Sequence, residues 1–104
     1  MADNRRSSTR HAVSITAILA VGGAPGIDCT IMNLSLGGAL ISASRRYAMG
    51  QRSNIMFRVP TATEAIEVGA TVRWADDTSV GIQFDGLRAR DVWALNEYFK
   101  QLAP

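Results

Sequence analysis

The chain has 104 residues, of which 47% are hydrophobic, and its formal net charge at pH 7 is only +2. This length predicts a single domain with its own core, and the small net charge argues against non-specific binding to nucleic acid. The single cysteine, Cys29, and the single histidine, His11, exclude an internal disulfide bond and a structural zinc site.

Residues 1–11 are predicted to form a flexible tail, because the segment is rich in serine and arginine and lacks hydrophobic periodicity. Arg6 and Arg10 stand four residues apart, and Arg5 precedes them. An arginine side chain can bind phosphate or the O6/N7 edge of guanine with two hydrogen bonds, and its plane stacks on purines. The tail therefore contains candidate anion- and purine-binding groups.

The next segment, residues 12–21, is an apolar run that allows two interpretations. After the arginines it is similar to a signal peptide. However, Ser14 and Thr16 alternate with β-branched and small apolar residues, which favours the first β-strand of a domain spanning residues 12–104. The glycine-rich residues 22–26 then predict a hairpin turn, followed by a second strand over residues 27–32.

A polar stretch from Asn33 to Gly38 lies between two apolar runs. On an extended backbone, Asn33 and Ser35 direct their hydrogen-bonding side chains to the same face. Gly37 and Gly38 allow positive φ and the close approach of a ligand to the backbone. The same residue types also build ordinary tight turns, so this stretch alone leaves a binding site and a plain turn as alternatives.

The remaining segments complete a β-rich domain with a helix at its end. Residues 65–74 alternate strictly, with Ile66, Val72 and Trp74 on the face that is predicted to pack. From Leu87 the apolar spacing becomes helical. Six short strands and one helix predict a small six-stranded antiparallel β-barrel. The later strands are predicted over residues 38–42, 51–59, 65–74 and 80–84, and the helix over residues 87–102.

An enzyme is not expected from this sequence. Ser35 has no histidine beside it in the chain, and His11 alone cannot supply a catalytic triad. Gly37 and Gly38 lack the lysine and the spacing of a phosphate-binding loop. We therefore expect no catalytic residues, no metal and no cofactor. Cys29 lies in an apolar run, which is typical of a buried thiol in a reducing compartment and predicts a cytoplasmic protein.

The spacing Arg6-x-x-x-Arg10, followed by Asn33-x-Ser35-x-x-Gly38, resembles the two motifs of the PilZ family of bacterial receptors for cyclic di-GMP. The resemblance extends to Val-Arg-Trp in the fifth predicted strand, Val-Gly-Ile-Gln-Phe in the sixth, and the final helix. It implies the same barrel, with the helix closing one end. Asn33 stands where the family more often has aspartate. Asparagine keeps a carbonyl acceptor but loses the charge.

The resemblance also implies a ligand, its contacts and an output. The arginine tail would order over cyclic di-GMP on the barrel face and create a surface for an unidentified effector protein. Arg5 implies a stacked dimer of the ligand. Neither nucleic acid nor insertion into a membrane is expected. The implied ligand-binding residues are Arg5, Arg6, Arg10, Asn33, Ser35, Gly37 and Gly38.

Two other functions remain as alternatives at this stage. One is a PilZ-like adaptor that is independent of nucleotide and docks on a partner protein through its helix or barrel face. The other is a small barrel that binds single-stranded nucleic acid, which needs a basic groove with exposed aromatic side chains. The few aromatic residues here mostly follow core periodicity, which disfavours that alternative.

Overall fold

A computed structural model describes residues 9–43 and 47–102. Arg5, Arg6 and the rest of the predicted tail before Thr9 lie outside the described residues. Within the described ranges, no helix has the length and apolar character needed to cross a membrane. The elements are β1 (His11–Val21), β2 (Ile27–Leu34), β3 (Gly38–Ser42), β4 (Arg52–Phe57), β5 (Ile66–Ala75), β6 (Ser79–Phe84) and α1 (Ala89–Leu102).

The six strands form a closed barrel in the order β1-β2-β3-β6-β5-β4. Each neighbouring pair is antiparallel. The predicted six-stranded antiparallel barrel with a C-terminal helix is therefore confirmed. The element bounds differ by a few residues, since β4 ends at Phe57 instead of residue 59 and α1 begins at Ala89 instead of residue 87.

The core consists of the inward-facing side chains of the strands together with one side of α1. Ile31, Ile55 and Leu95 are fully buried within one hydrophobic cluster. Cys29 belongs to this cluster, and its thiol donates a hydrogen bond to the carbonyl of Ala17 at 3.5 Å. Burial, with a smaller contribution from Asp28, raises the pKa of the Cys29 thiol to about 11. Cys29 is thus a neutral core residue, as its apolar context predicted.

A β-bulge in β5 changes the face on which Trp74 lies. Val72 pairs with Ile82, but Trp74 pairs with Gly81, so Arg73 is an extra residue in the strand. The bulge shifts the alternation by one position. Trp74 is therefore 41% exposed, and its predicted place on the packed face of this strand is wrong.

The turn between β2 and β3 does not depend on positive φ. Among the described residues, positive φ occurs at Gly22, Gly23 and Gly50, and the glycines of this turn are not among them. Gly38 is needed for a different reason, because a Cβ at this position would collide with the backbone carbonyl of Ile82 in β6. Its missing side chain allows β3 and β6 to pair at normal distance.

Candidate ligand-binding site

A concavity of about 340 Å³ lies where the turn after β2 meets β3, β5 and β6. This volume falls within the range of roughly 300–1,000 Å³ that is usual for ligand pockets. Among the described residues that line it, none is acidic. The lining residues are Arg10, Ser35, Gly37, Gly38, Ala39, Leu40, Arg73, Trp74, Gly81, Ile82 and Gln83.

Arg10 reaches this concavity because of the register between β1 and β2. His11, the first residue of β1, pairs with Leu34, the last residue of β2. Arg10 therefore lies beside Ser35, where the chain leaves β2. Arg10 is exposed and lines the concavity. The second arginine of the predicted first motif and the turn of the second motif thus share one site.

Ser35 holds the turn together with its side chain. It is only 4% exposed. Its hydroxyl accepts hydrogen bonds from the N–H groups of Gly37 and Gly38, each at 3.1 Å, and donates one to the carbonyl of Gly38 at 3.2 Å. A hydroxyl has one donor and two acceptor positions, so all are occupied. A direct hydrogen bond from Ser35 to a guanine would require one of these bonds to break.

Gly37 and Gly38 attach the turn to β6. The carbonyl of Gly37 accepts a hydrogen bond from the N–H of Phe84 at 2.8 Å, and Gly38 pairs with Gln83. The carbonyl of Gly38 also accepts a hydrogen bond from the N–H of Ser35 at 2.9 Å. These contacts fix the turn as one wall of the concavity and leave the outward side of β6 as its floor.

Asn33 is placed apart from the other motif residues. It is half-buried on β2, pairs with Ala12 and Leu40, and is not among the residues that line the concavity. The strand β2 ends at Leu34, so Ser35 lies in the turn and strand alternation does not relate its side chain to that of Asn33. A role for Asn33 in ligand binding stays a prediction, as does that of Arg5 and Arg6.

Arg52 of β4 and Asp85, which directly follows β6, form an exposed ion pair. Arg52 donates hydrogen bonds to both oxygens of Asp85 and to the hydroxyl of Thr71, the last at 2.9 Å. The hydrogen bond from Arg52 holds the pKa of the Asp85 carboxyl below its usual value. Asp85 therefore stays ionised and paired with Arg52. Within residues 9–43 and 47–102, no three His, Cys, Asp or Glu side chains are grouped so that they could hold a metal ion.

A model of the PilZ domain matches residues 4–101, which is nearly the whole chain. The chain belongs to the PilZ family. PilZ domains are a family of receptors for cyclic di-GMP. No curated protein sequence matches this PilZ domain at a significant level.

Solved structures share the fold of this PilZ domain at low sequence identity. MotI/DgrA, the inhibitor of motility of Bacillus subtilis, matches with a TM-score of 0.73 and 17% identity over 95% of this chain and 54% of that one. The PilZ domain of CeSA from a cellulose-synthesizing bacterium matches with a TM-score of 0.70 and 16% identity, over 90% of this chain and 98% of that one. PlzA of Borreliella burgdorferi, in complex with cyclic di-GMP, matches with a TM-score of 0.59 and 22% identity, over 95% of this chain and 37% of that one. The chain thus spans about half of MotI/DgrA and over a third of PlzA.

Among the lining residues that sequence reasoning missed, three carry polar or aromatic side chains that can contact a ligand. Arg73 and Trp74 lie on β5 at the bulge, and Gln83 lies on β6 opposite Gly38. The only sequence signal for the first two is Val-Arg-Trp, which predicts a barrel strand and gives no indication of a binding site. With these residues, the concavity presents two guanidinium groups, an indole ring and a primary amide.

Proposed function

We propose that this PilZ domain is a receptor that binds cyclic di-GMP in the concavity beside Arg10. The observation that carries this proposal is the meeting of Arg10 with the turn of Ser35, Gly37 and Gly38 at one basic concavity. Membership of the PilZ family supports the choice of ligand. The structure of PlzA, which contains cyclic di-GMP, supports it further.

The arginines would supply the specific contacts to the ligand. Cyclic di-GMP carries two phosphates and two guanine bases, and both kinds of group accept paired hydrogen bonds from a guanidinium. A good bidentate contact to guanine contributes roughly 1–3 kcal/mol. We assign such contacts to Arg10 and to Arg6, with the Asn33 carbonyl and the Ser35 turn facing the other polar edges of the ligand.

Ordering of the N-terminal tail would turn ligand binding into a signal. Fixing the backbone costs roughly 1–2 kcal/mol per residue, a cost that all contacts with the bound ligand together would offset. A tail that is ordered only with ligand forms a surface that the free protein lacks. We propose that an effector protein recognises this surface. The cytoplasmic location predicted from the sequence stays a prediction.

Titration calorimetry with cyclic di-GMP tests the proposal. We expect saturable binding with a dissociation constant near 1 μM, which corresponds to about −8 kcal/mol, and at least tenfold weaker binding by Arg10→Ala. Arg58→Ala is the matched control, because this exposed arginine follows β4 and does not line the concavity. Equal affinities for the parent and Arg10→Ala, or no binding by the parent, would refute the proposal.

The stoichiometry of the same titration tests the role of Arg5. We propose that Arg5 stabilises a second, stacked cyclic di-GMP molecule, so the parent should bind two molecules per chain. Substitution Arg5→Leu should reduce this number to one, because the leucine removes the guanidinium that stacks on and bonds to the second molecule. An unchanged stoichiometry would contradict the proposed dimer.

A nucleotide-independent adaptor is the second candidate function, and an exposed aromatic side chain on α1 favours it. Trp93 is 62% exposed. Tryptophan is among the residues that most often contribute to the binding energy of protein interfaces. Such an adaptor would bind its partner equally well without cyclic di-GMP and after Arg6→Ala. Trp93→Ala would abolish that binding. Dependence of partner binding on cyclic di-GMP would instead favour the receptor.

A further inference from the structure

Trp74 is a large aromatic residue that lies on the outward side of the barrel, in the wall of the concavity. The extra residue Arg73 gives it this position, because Trp74 consequently pairs with the outward-facing Gly81. Arg73 and Trp74 are both exposed, in contrast to the buried Val72 before them. The bulge thus presents a guanidinium and an indole ring side by side on the same surface.

Gly81 is buried although it occupies an outward-facing position. The inward-facing residues of β6 are Val80, Ile82 and Phe84, whereas the next outward residue, Gln83, is exposed. The indole of Trp74 accounts for the burial of Gly81, because it lies where the Cβ of any other residue would stand. That Cβ would be 2.7 Å from Cε2 and 2.9 Å from Cδ1 of the indole, with Nε1 closer still.

These contacts define the orientation of the indole. The position of the missing Cβ is close to Nε1 and almost equally close to the two carbons bonded to it. This arrangement corresponds to the face of the five-membered ring, since an approach to its edge would leave both carbons farther away. One face of the Trp74 ring therefore covers Gly81. The side chain remains 41% exposed at the concavity.

We propose that Gly81 is a positioning residue of the ligand site, which holds the Trp74 indole flat against β6 as a stacking surface for a purine base. This inference rests on the proposed function, because it assumes that the concavity binds a cyclic dinucleotide. Base stacking on an aromatic side chain tolerates any base, so Trp74 supplies affinity while the arginines read guanine. A ring that is fixed before binding loses less conformational freedom when the base arrives.

A double-mutant cycle between Gly81 and Trp74 tests the inference by calorimetry with cyclic di-GMP. Gly81→Ala should weaken binding about tenfold or more, because its methyl group displaces the indole. In a Trp74→Ala background the same substitution should change the affinity less than twofold, since no ring remains to be displaced. Gly69→Ala is the matched control, because its Cβ would contact the end of the Asp85 side chain and not Trp74.

Fluorescence gives a second readout that does not depend on folding energetics. In a Trp93→Phe background, Trp74 is the only tryptophan. Stacking of guanine on the exposed ring face should quench its emission as cyclic di-GMP is added, and the quenching should follow the calorimetric curve. Gly81→Ala should reduce the quenching at saturation, because the displaced ring no longer stacks.

The outcomes separate this inference from the proposed function. If the parent does not bind cyclic di-GMP, both are overturned. If the parent binds and Gly81→Ala binds equally well, only the role of Gly81 is overturned. The same holds if Gly81→Ala weakens binding as much in the Trp74→Ala background as in the parent. Should Gly81→Ala melt below the assay temperature, Trp74→Leu replaces the ring with an apolar side chain that cannot stack. Full affinity of Trp74→Leu would overturn the stacking surface.

Discussion

Ser35 stabilises the turn between β2 and β3 through its side chain, and this role makes a prediction about stability. Ser35→Ala would leave the N–H groups of Gly37 and Gly38 without the acceptor that they have in the structure. Loss of a partner for such groups costs about 1–3 kcal/mol. We expect urea denaturation to show a decrease of this size in the free energy of unfolding.

The control for this substitution is Ser14→Ala, since Ser14 is an exposed serine on β1. Its free energy of unfolding should change by less than about 0.5 kcal/mol. The pair also separates two roles of Ser35. If Ser35→Ala is as stable as Ser14→Ala but does not bind cyclic di-GMP, the Ser35 hydroxyl contacts the ligand directly. That result would contradict the turn-stabilising role derived from the hydrogen bonds.

The helix α1 is attached to the barrel by its buried side, close to the candidate ligand site. The ring of Phe99 stacks on His11 of β1 with the ring centroids 4.0 Å apart and an interplanar angle of 16°. Phe99 is 8% exposed and belongs to the hydrophobic core cluster. Since His11 follows Arg10 directly, this stack also holds the start of β1 beside the concavity.

Substitution of Phe99 should therefore destabilise the whole domain. Phe99→Ala removes a buried aromatic side chain and should lower the free energy of unfolding by about 3 kcal/mol or more. Trp93→Ala is the control on the same helix, because Trp93 is 62% exposed and its removal should cost less than about 0.5 kcal/mol. Similar losses for the two variants in thermal or urea denaturation would contradict this account of how α1 packs.

Period-two alternation predicted most strands of the barrel, and it misplaced Trp74, which lies at an irregularity of β5. Trp74 was assigned to the core because the pattern continues unbroken through residue 74, whereas the structure has a bulge at Arg73. A bulge changes hydrogen bonding between strands without altering the local sequence pattern. The shared face of Asn33 and Ser35 stays a prediction, because β2 ends at Leu34 and alternation does not extend to Ser35 in the turn.

Motif spacing predicted the residues of the candidate ligand site only in part. It predicted that Arg10 and the turn from Ser35 to Gly38 belong together, although they are far apart in the chain, and they line the same concavity. It could not predict that the Ser35 hydroxyl is used within the turn, because hydrogen bonding depends on the turn conformation. Nor could it identify Gly81, whose importance appears only when Trp74 is seen to cover it.

At the scale of the whole molecule, we predict that the barrel folds without the proposed ligand-binding tail. The closed ring of strands and the core cluster lie within residues 11–102. A chain that lacks residues 1–8 should therefore keep its melting temperature within about 2 °C, because the six strands, the helix and the described core cluster all follow the deleted segment. Circular dichroism during thermal unfolding measures this directly.

The same truncated chain should bind cyclic di-GMP at least tenfold more weakly, because it lacks Arg5 and Arg6 but keeps Arg10. Each good arginine contact to guanine contributes roughly 1–3 kcal/mol. The full-length double variant Arg5→Ala/Arg6→Ala is the control, since it keeps the tail and removes only the two guanidinium groups. Equal losses in the two proteins would assign the effect to the arginines, whereas a larger loss on truncation would assign part of it to the rest of the tail. Undiminished affinity of the truncated chain would refute the participation of the tail in the site.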